Sequence, residues 1–205
     1  MTQYFTQFLL SAMAASQFPA SEVPEIAFLG RSNVGKSSLI NALLGEKAAK
    51  VSSTPGRTRA INFFALKSTP TSLHPHFLFA DLPGYGFAKL SRSISAEWPS
   101  FIEPYLTDRP QLALCVCLVD ANIPPQPSDR QLQDWLRAAG RRFVVLGTKA
   151  DKLSGNGRSK ATAALRKGHA LDEVLLCSSK TGAGIKELWG AIEAAVLAAA
   201  DENGS

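Results

Sequence analysis

Cysteine is scarce in this chain, with three in 205 residues, at positions 115, 117 and 177. An odd count leaves no complete disulfide framework, and Cys115 and Cys117 sit two apart inside an apolar run, on one face of an expected strand. That pattern suits buried thiols in a reducing compartment better than a disulfide or a metal site. Histidine is equally sparse: His74 and His76 lie in an expected turn, and neither they nor His169 have metal-ligand partners nearby. No run of about 18 apolar residues occurs, so no membrane span is expected. The opening "MTQYFTQFLLSAMAASQFPAS" has no Lys or Arg ahead of its apolar part and so lacks the basic region of an export signal. Phe5, Phe8, Leu9 and Met13 instead fall at helical spacing, which predicts a short helix packed on the domain. A cytoplasmic protein is the expectation.

What is present is ordinary for a soluble globular chain: 45% hydrophobic and 19% charged residues. The length suits one domain with a substantial core. A net charge of +5 permits an acidic partner such as nucleic acid without requiring one. The expected division is an N-terminal extension over residues 1–22, one main domain over 23–200 and a frayed tail over 201–205.

After Pro24 strand-like and helix-like segments alternate. Strands are expected at 25–29, 61–67, from 77 to 80, 112–119, 143–146 and 174–177. Helices are expected at 35–44, in the stretch leading to 106, at 128–139, 159–167 and 185–199. Ser128 is a candidate N-cap, with Gly140 beyond the end of its helix. The strands at 61–67 and 77–80 are joined by a short turn and must be antiparallel neighbours. The rest predicts a three-layer α/β domain with a mostly parallel sheet and one antiparallel edge strand.

One junction carries chemistry. In "IAFLGRSNVGKSSLINALLG", Gly30, Arg31, Ser32, Asn33, Val34, Gly35, Lys36, Ser37 and Ser38 separate a strand from a helix. G-x-x-x-x-G-K-S is the phosphate-binding loop pattern, and strand before and helix after is the context it requires. Glycine lets backbone N–H groups turn inward onto a polyphosphate, and the helix N-terminus adds partial positive charge. Lys36 would reach the β- and γ-phosphates and the Ser37 hydroxyl would ligate Mg²⁺.

Asp81, Leu82, Pro83 and Gly84 end another strand and fit D-x-x-G, with the aspartate placed to reach Mg²⁺ through water and the Gly84 N–H placed to sense a γ-phosphate. Thr148, Lys149, Ala150 and Asp151 follow the strand "FVVLG"; a carboxylate at Asp151 accepts both guanine donors, a pairing adenine cannot reproduce. The Lys149 stem can cover the base plane. Ser178, Ser179 and Lys180, after the last strand, would offer backbone N–H groups to the guanine carbonyl. Together these four motifs, in this order, predict a GTP-binding domain.

The runs "GRSNVGKSSLIN", "TPGRTRAINFF", "DLPGYGFA" and "TKADKL" resemble the bacterial EngB (YihA/YsxC) GTPases, within the TrmE-Era-EngA-YihA-Septin group, over nearly the whole chain. The resemblance implies a Ras-like fold, GTP and GDP binding with Mg²⁺, and a role in assembling the large ribosomal subunit that is needed for normal cell division and septation. It implies that Gly56, Arg57, Thr58, Arg59 and Ala60 form the first switch, with Thr58 closing on Mg²⁺; Thr54 is a rival, made less apt by Pro55. Lys36, Thr58 and Gly84 are then the catalytic candidates.

Three departures stand out. Thr148 replaces the usual asparagine of the guanine motif, and a hydroxyl can do only part of what an amide does in tying that loop to the phosphate loop. "SSK" replaces the commoner "SAK". Tyr85 stands where Ras-type enzymes carry a water-orienting glutamine, which implies slow hydrolysis. In potassium-dependent relatives, an asparagine at the position of Asn33 helps to hold K⁺ beside the phosphates; a turn-capping Asn is the plainer alternative.

Arg57, Arg59, Lys89 and Arg92 in the switch loops, and Lys152, Arg158, Lys160, Arg166 and Lys167 after the guanine motif, are candidate contacts to ribosomal RNA. Trp98 and Trp135 read as core or near-core. The alternative is a GTP-gated interaction module for a division protein without RNA contact; an ATPase acting in tRNA modification or transport is disfavoured by Asp151. A monomer is the expectation.

Overall fold

The computed structural model describes residues 4–45, 60–85 and 100–203. Seven strands form one sheet: β1 (Phe5–Ala12), β2 (Glu25–Gly30), β3 (Ile61–Lys67), β4 (Phe77–Asp81), β5 (Leu112–Asp120), β6 (Phe143–Thr148) and β7 (Leu175–Leu176), in the order β1-β3-β4-β2-β5-β6-β7. Strand β3 runs antiparallel to both neighbours, and every other pairing is parallel. The helices are α1 (Lys36–Leu44), α2 (Ile102–Asp108), α3 (Pro127–Ala138), α4 (Gly155–His169) and α5 (Ile185–Asn203).

The strand sequences explain the layering. Strand β5, "LALCVCLVD", is apolar throughout because both of its faces are covered. Its Cys115, Cys117 and Val119 join Leu132, Leu136 and Leu165 of α3 and α4 on one side. Its Leu114, Val116 and Leu118 join Leu39 and Ile40 of α1 and Leu188 and Ile192 of α5 on the other. Strand β2 alternates in the same way, Ala27 and Leu29 toward the first core and Ile26 and Phe28 toward the second. All three cysteines are buried and unpaired, and burial pushes the Cys115 thiol up to about 12.

The N-terminal segment departs from expectation: it is strand β1, paired with β3, and not a helix. The pairing register shifts between Phe8 and Leu10, so an irregularity interrupts the two-residue alternation and leaves apolar residues at spacings that imitate a helix. Phe8 meets Phe64 edge-on at 5.7 Å on one face, whereas Leu10 and Ala12 belong to the opposite core. The reversed strand β3 is therefore second from the edge, shielded by β1.

Smaller corrections concern helix ends. Gln126, not Ser128, is the N-cap of α3, because Pro127 occupies the first helical position, where its missing N–H costs nothing. The tail over 201–203 continues α5, and Glu202 pairs with Arg142 at 2.5 Å. Helix α4 starts earlier than expected, at Gly155, with the Ser154 hydroxyl accepting the Gly157 N–H.

At the N-terminal end of the sheet, Glu25 is fully buried and accepts from Arg109 Nη2 at 2.6 Å and from the Tyr105 hydroxyl at 2.9 Å. Arg109 also donates to the Pro19 carbonyl at 2.7 Å. This fixes the segment leading into β2 against α2, at the end of the strand opposite the phosphate loop.

Candidate functional site

Strands β4, β2, β5 and β6 are successive neighbours in the sheet, and the loops leaving the C-terminal ends of β4, β2 and β6 converge, as ligand sites in open parallel sheets do. The chain leaves β2 at Gly30 and turns through Asn33 at φ 62° and Gly35 at φ 107° before α1 begins at Lys36. A φ of 107° is open to glycine at little cost, which accounts for Gly35. Val34 is buried beneath the loop, while Arg31, Ser32, Ser37 and Ser38 are half-buried and Asn33 is exposed. Lys36 and Asp81, both nearly buried, form an ion pair through Nζ and Oδ1. The ammonium thus lies at the start of α1, where backbone N–H groups also converge.

The D-x-x-G segment lies along the phosphate loop. Leu82 and Pro83 are buried. A Cβ on Gly84 would meet Ser32 Oγ at 2.7 Å and the Ser32 backbone N at 3.2 Å, so the two loops touch there. The Ser32 N–H donates to the Tyr85 carbonyl at 3.1 Å, and the Tyr85 N–H points back to the Gly30 carbonyl at 3.4 Å. The Tyr85 ring is turned into the core, 1% exposed, where its hydroxyl donates to Asp129 Oδ1 of α3 at 2.9 Å. Burial raises the Asp129 carboxyl to about 6, with the hydrogen bond from Tyr85 and the charge of Arg31 opposing the rise.

The guanine motif is tied to the phosphate loop by two bonds. The buried Thr148 hydroxyl lies 2.6 Å from the Val34 carbonyl and 3.1 Å from that of Val119. A hydroxyl has one proton, and the shorter contact is the stronger; threonine thereby makes the tie to the phosphate loop. Lys149, at φ 59°, sends Nζ to the Asn33 carbonyl and to Asp120 Oδ2, both at 2.8 Å. Asn122 Nδ2 in turn donates to the Lys149 carbonyl at 3.1 Å and to Asp120 Oδ1 at 3.2 Å. Burial pushes the Asp120 carboxyl up, but the hydrogen bonds from Lys149 and Asn122 together outweigh it and hold the group below its usual range.

Asp151 follows on a short turn beginning at the buried Ala150, whose N–H donates to the Cys177 carbonyl at 3.0 Å. The fully buried Ser178 donates its hydroxyl to Asp151 Oδ1 at 2.7 Å, the leading cause of a carboxyl held below its usual range. The Ser178 backbone N–H is engaged by the Ala183 carbonyl at 2.9 Å. Ser178, expected to offer its backbone N–H to a base, spends it within the chain and turns its hydroxyl to Asp151, while Ser179 and Lys180 beside it are exposed. Asp120, Asn122 and Asp129 were missed in the sequence, since each acts through a partner distant along the chain.

Gly56, Arg57, Thr58 and Arg59, with Lys89, Arg92 and Trp98, lie outside the described residues; Ala60 is half-buried just ahead of β3. Lys152, Arg158, Lys160, Arg166 and Lys167 are all exposed. Trp135 packs against the core, His74 and His76 are exposed, and His169 is fully buried at the end of α4. Among the described residues no group of three or more His, Cys, Asp or Glu could hold a metal, and no helix is long and apolar enough to cross a membrane.

A family model described as "50S ribosome-binding GTPase" matches residues 25–149. A protein of Acidobacterium capsulatum described as "Probable GTP-binding protein EngB" is 67% identical over 190 residues, covering 93% of this chain and 90% of that one. A relative of the same description from Koribacter versatilis is 56% identical over 184 residues, covering 90% of each chain. Among solved structures, a probable GTP-binding protein EngB is 25% identical with a TM-score of 0.67, covering 84% of this chain and 98% of that one.

Proposed function

The chain belongs to the EngB family of GTP-binding proteins and is a P-loop GTPase, and from that premise we propose that it is a slow, nucleotide-gated switch acting on the assembling large ribosomal subunit. In this reading it works as a cytoplasmic monomer, and normal cell division and septation depend on it through ribosome supply. The observation that carries the nucleotide site is the hydrogen-bonded continuity of its four loops: Thr148 and Lys149 to Val34 and Asn33, Ser178 to Asp151, and Ser32 to Tyr85.

The roles follow from that arrangement. Asp151, oriented by Ser178, reads the guanine ring N–H and amine, with Ser179 and Lys180 beside it. Lys36 exchanges Asp81 for the β- and γ-phosphates, cradled by backbone N–H groups from Gly30 to Ser38. The Gly84 N–H senses the γ-phosphate, and the first switch, including Thr58, closes over it. Mg²⁺ fits the donor set, since the Ser37 and Thr58 hydroxyls and, through water, the Asp81 carboxylate are hard oxygen donors. When bound it neutralises charge developing on the phosphates. Asn33 has the left-handed backbone and the exposure to turn its side chain toward a K⁺ ion at the same phosphates.

Slow turnover follows from Tyr85. Its hydroxyl is committed to Asp129, so it orients no water, and a Ras-type site without its charge-stabilising partner runs at roughly 10⁻⁴–10⁻³ per second.

The ribosomal part of the proposal is supported by the family description and by α4. This helix carries Arg158, Lys160, Arg166 and Lys167 and no acidic residue, and none of the four forms an ion pair among the described residues. Three to five phosphate contacts would weaken binding by roughly 10²-fold between 50 and 200 mM salt. The test is co-sedimentation with large subunits in GDP or a non-hydrolysable GTP analogue at those two salt concentrations. Binding that needs the analogue, weakens with salt and is lost in Arg158→Glu/Lys160→Glu is expected. Failure to co-sediment in either nucleotide would overturn the ribosomal reading and leave the GTPase intact.

A further inference from the structure

The residue after the D-x-x-G glycine is not idle, even though its side chain points away from the nucleotide site. Residues 84 and 85 are zipped onto the phosphate loop by one short parallel bridge, Arg31 with Tyr85. The Ser32 N–H bonds the Tyr85 carbonyl, and Ser32 Oγ occupies the space beside Gly84. What holds this bridge down is the Tyr85 side chain: a fully buried ring whose hydroxyl is fastened to Asp129 on α3, 44 residues further along. Among the described residues, Cys117 of β5 and Arg31 of the phosphate loop are the other titratable or charged groups that act on this pair. Gln133, one turn after Asp129 on α3, is also fully buried, and its amide has no hydrogen-bond partner among the described residues.

A γ-phosphate must draw the Gly84 N–H toward itself, in the space where Ser32 and Gly84 now meet. Doing so pulls on the Tyr85 carbonyl and on the ring behind it. A β-phosphate makes no such demand, because its contacts come from the later part of the loop and from Lys36.

We infer that Tyr85 and Asp129 form a latch that holds the start of the second switch against the phosphate loop and so weights the protein toward GDP over GTP. Both are positioning residues acting through Gly84. The inference rests on the GTPase site and is independent of the ribosomal reading. It gives α3 a mechanical link to the γ-phosphate that the nucleotide motifs themselves do not contain.

The test uses the full chain and fluorescent GDP and a non-hydrolysable fluorescent GTP analogue, with dissociation constants measured for wild type, Tyr85→Phe, Asp129→Ala and Asp129→Asn. Tyr85→Phe keeps the ring in the core and removes only the hydroxyl, and a melting curve confirms that each variant is folded. A hydrogen bond to a buried carboxylate biases an equilibrium by about tenfold or more. The ratio of GTP-analogue to GDP dissociation constants should therefore fall by about tenfold in Tyr85→Phe and Asp129→Ala. Asp129→Asn, which keeps an acceptor for the hydroxyl, should restore a ratio near that of wild type. A ratio that moves by less than about threefold in Tyr85→Phe, or affinities for both nucleotides that fall together, would overturn the latch. Loss of GDP binding by the wild type would instead strike at the GTPase site itself.

Discussion

Replacing Thr148 by valine removes one hydroxyl and leaves the shape of the side chain almost unchanged, which makes it a clean probe of how the guanine motif supports the phosphate loop. The residue is 5% exposed, and its hydroxyl is the donor 2.6 Å from the Val34 carbonyl. Val34 lies between two residues with positive φ, Asn33 at 62° and Gly35 at 107°, so the loop conformation needs external support. Valine would leave that carbonyl without this donor, and an unmade buried hydrogen bond costs about 1–3 kcal/mol. Part of the loss falls on folding and part on the loop shape that binding requires. A GDP dissociation constant raised about 5- to 30-fold corresponds to about 1–2 kcal/mol in binding. Thr148→Ser keeps the hydroxyl and should lie within about threefold of wild type. Titration of fluorescent GDP, with ADP as competitor, measures affinity and selectivity together. Selectivity should be unchanged, because in the proposed reading Thr148 supports the loop and Asp151 reads the base. Unchanged GDP affinity in Thr148→Val would refute the reasoning, and so would a collapse of guanine selectivity at unchanged affinity.

Asp151→Asn exchanges a double acceptor for one acceptor and one donor; GDP binding should fall by roughly 10²- to 10⁴-fold while xanthosine diphosphate, which offers the matching carbonyl, gains, as a competition titration would show. Glu25→Ala strands Arg109, 14% exposed, beside the buried end of β2. Breaking such a pair should cost about 3 kcal/mol in urea unfolding, near the lower end for buried pairs, with GDP affinity of the folded fraction unchanged. Asp129 has a carboxyl raised to about 6 in the folded protein against about 3.9 unfolded. The folded state therefore holds the extra proton between those values, and this group adds stability as pH falls from above 6 toward 4. Asp129→Asn should be more stable than wild type at pH 7.5, by up to about 3 kcal/mol, with the advantage shrinking through pH 6 and gone near pH 4 in urea melts. An advantage that does not depend on pH would show that the carboxyl titrates normally.

The parts of this protein that were legible in its sequence are those whose function is set by a few consecutive backbone units. The phosphate loop, D-x-x-G and the guanine motif, as proposed, each place donors through local turns, so residue type and spacing carry the chemistry. Strand β5 was legible for a related reason, since burial on both faces leaves an unbroken apolar run. The parts that were not legible depend on partners far along the chain. Strand β1 is specified by pairing with β3 some 50 residues later, as in the Ser11 hydroxyl bonded to Asn62 at 2.6 Å, and its register shift disguised the period. Tyr85 and Asp129 meet across 44 residues, and no spacing rule links them. Asp120 is the instructive miss. Like Asp81, it is a carboxylate closing an apolar strand that runs parallel to β2, a position at the ligand side of such a sheet. Asp81 is marked by the motif that it opens. Asp120 has only Asn122 two residues on, yet the two together hold Lys149 through its ammonium and its carbonyl. An acidic residue ending a buried parallel strand is therefore a candidate for the site even without a motif, because a largely buried carboxylate needs cations or donors to meet it, as Lys149 and Asn122 do here.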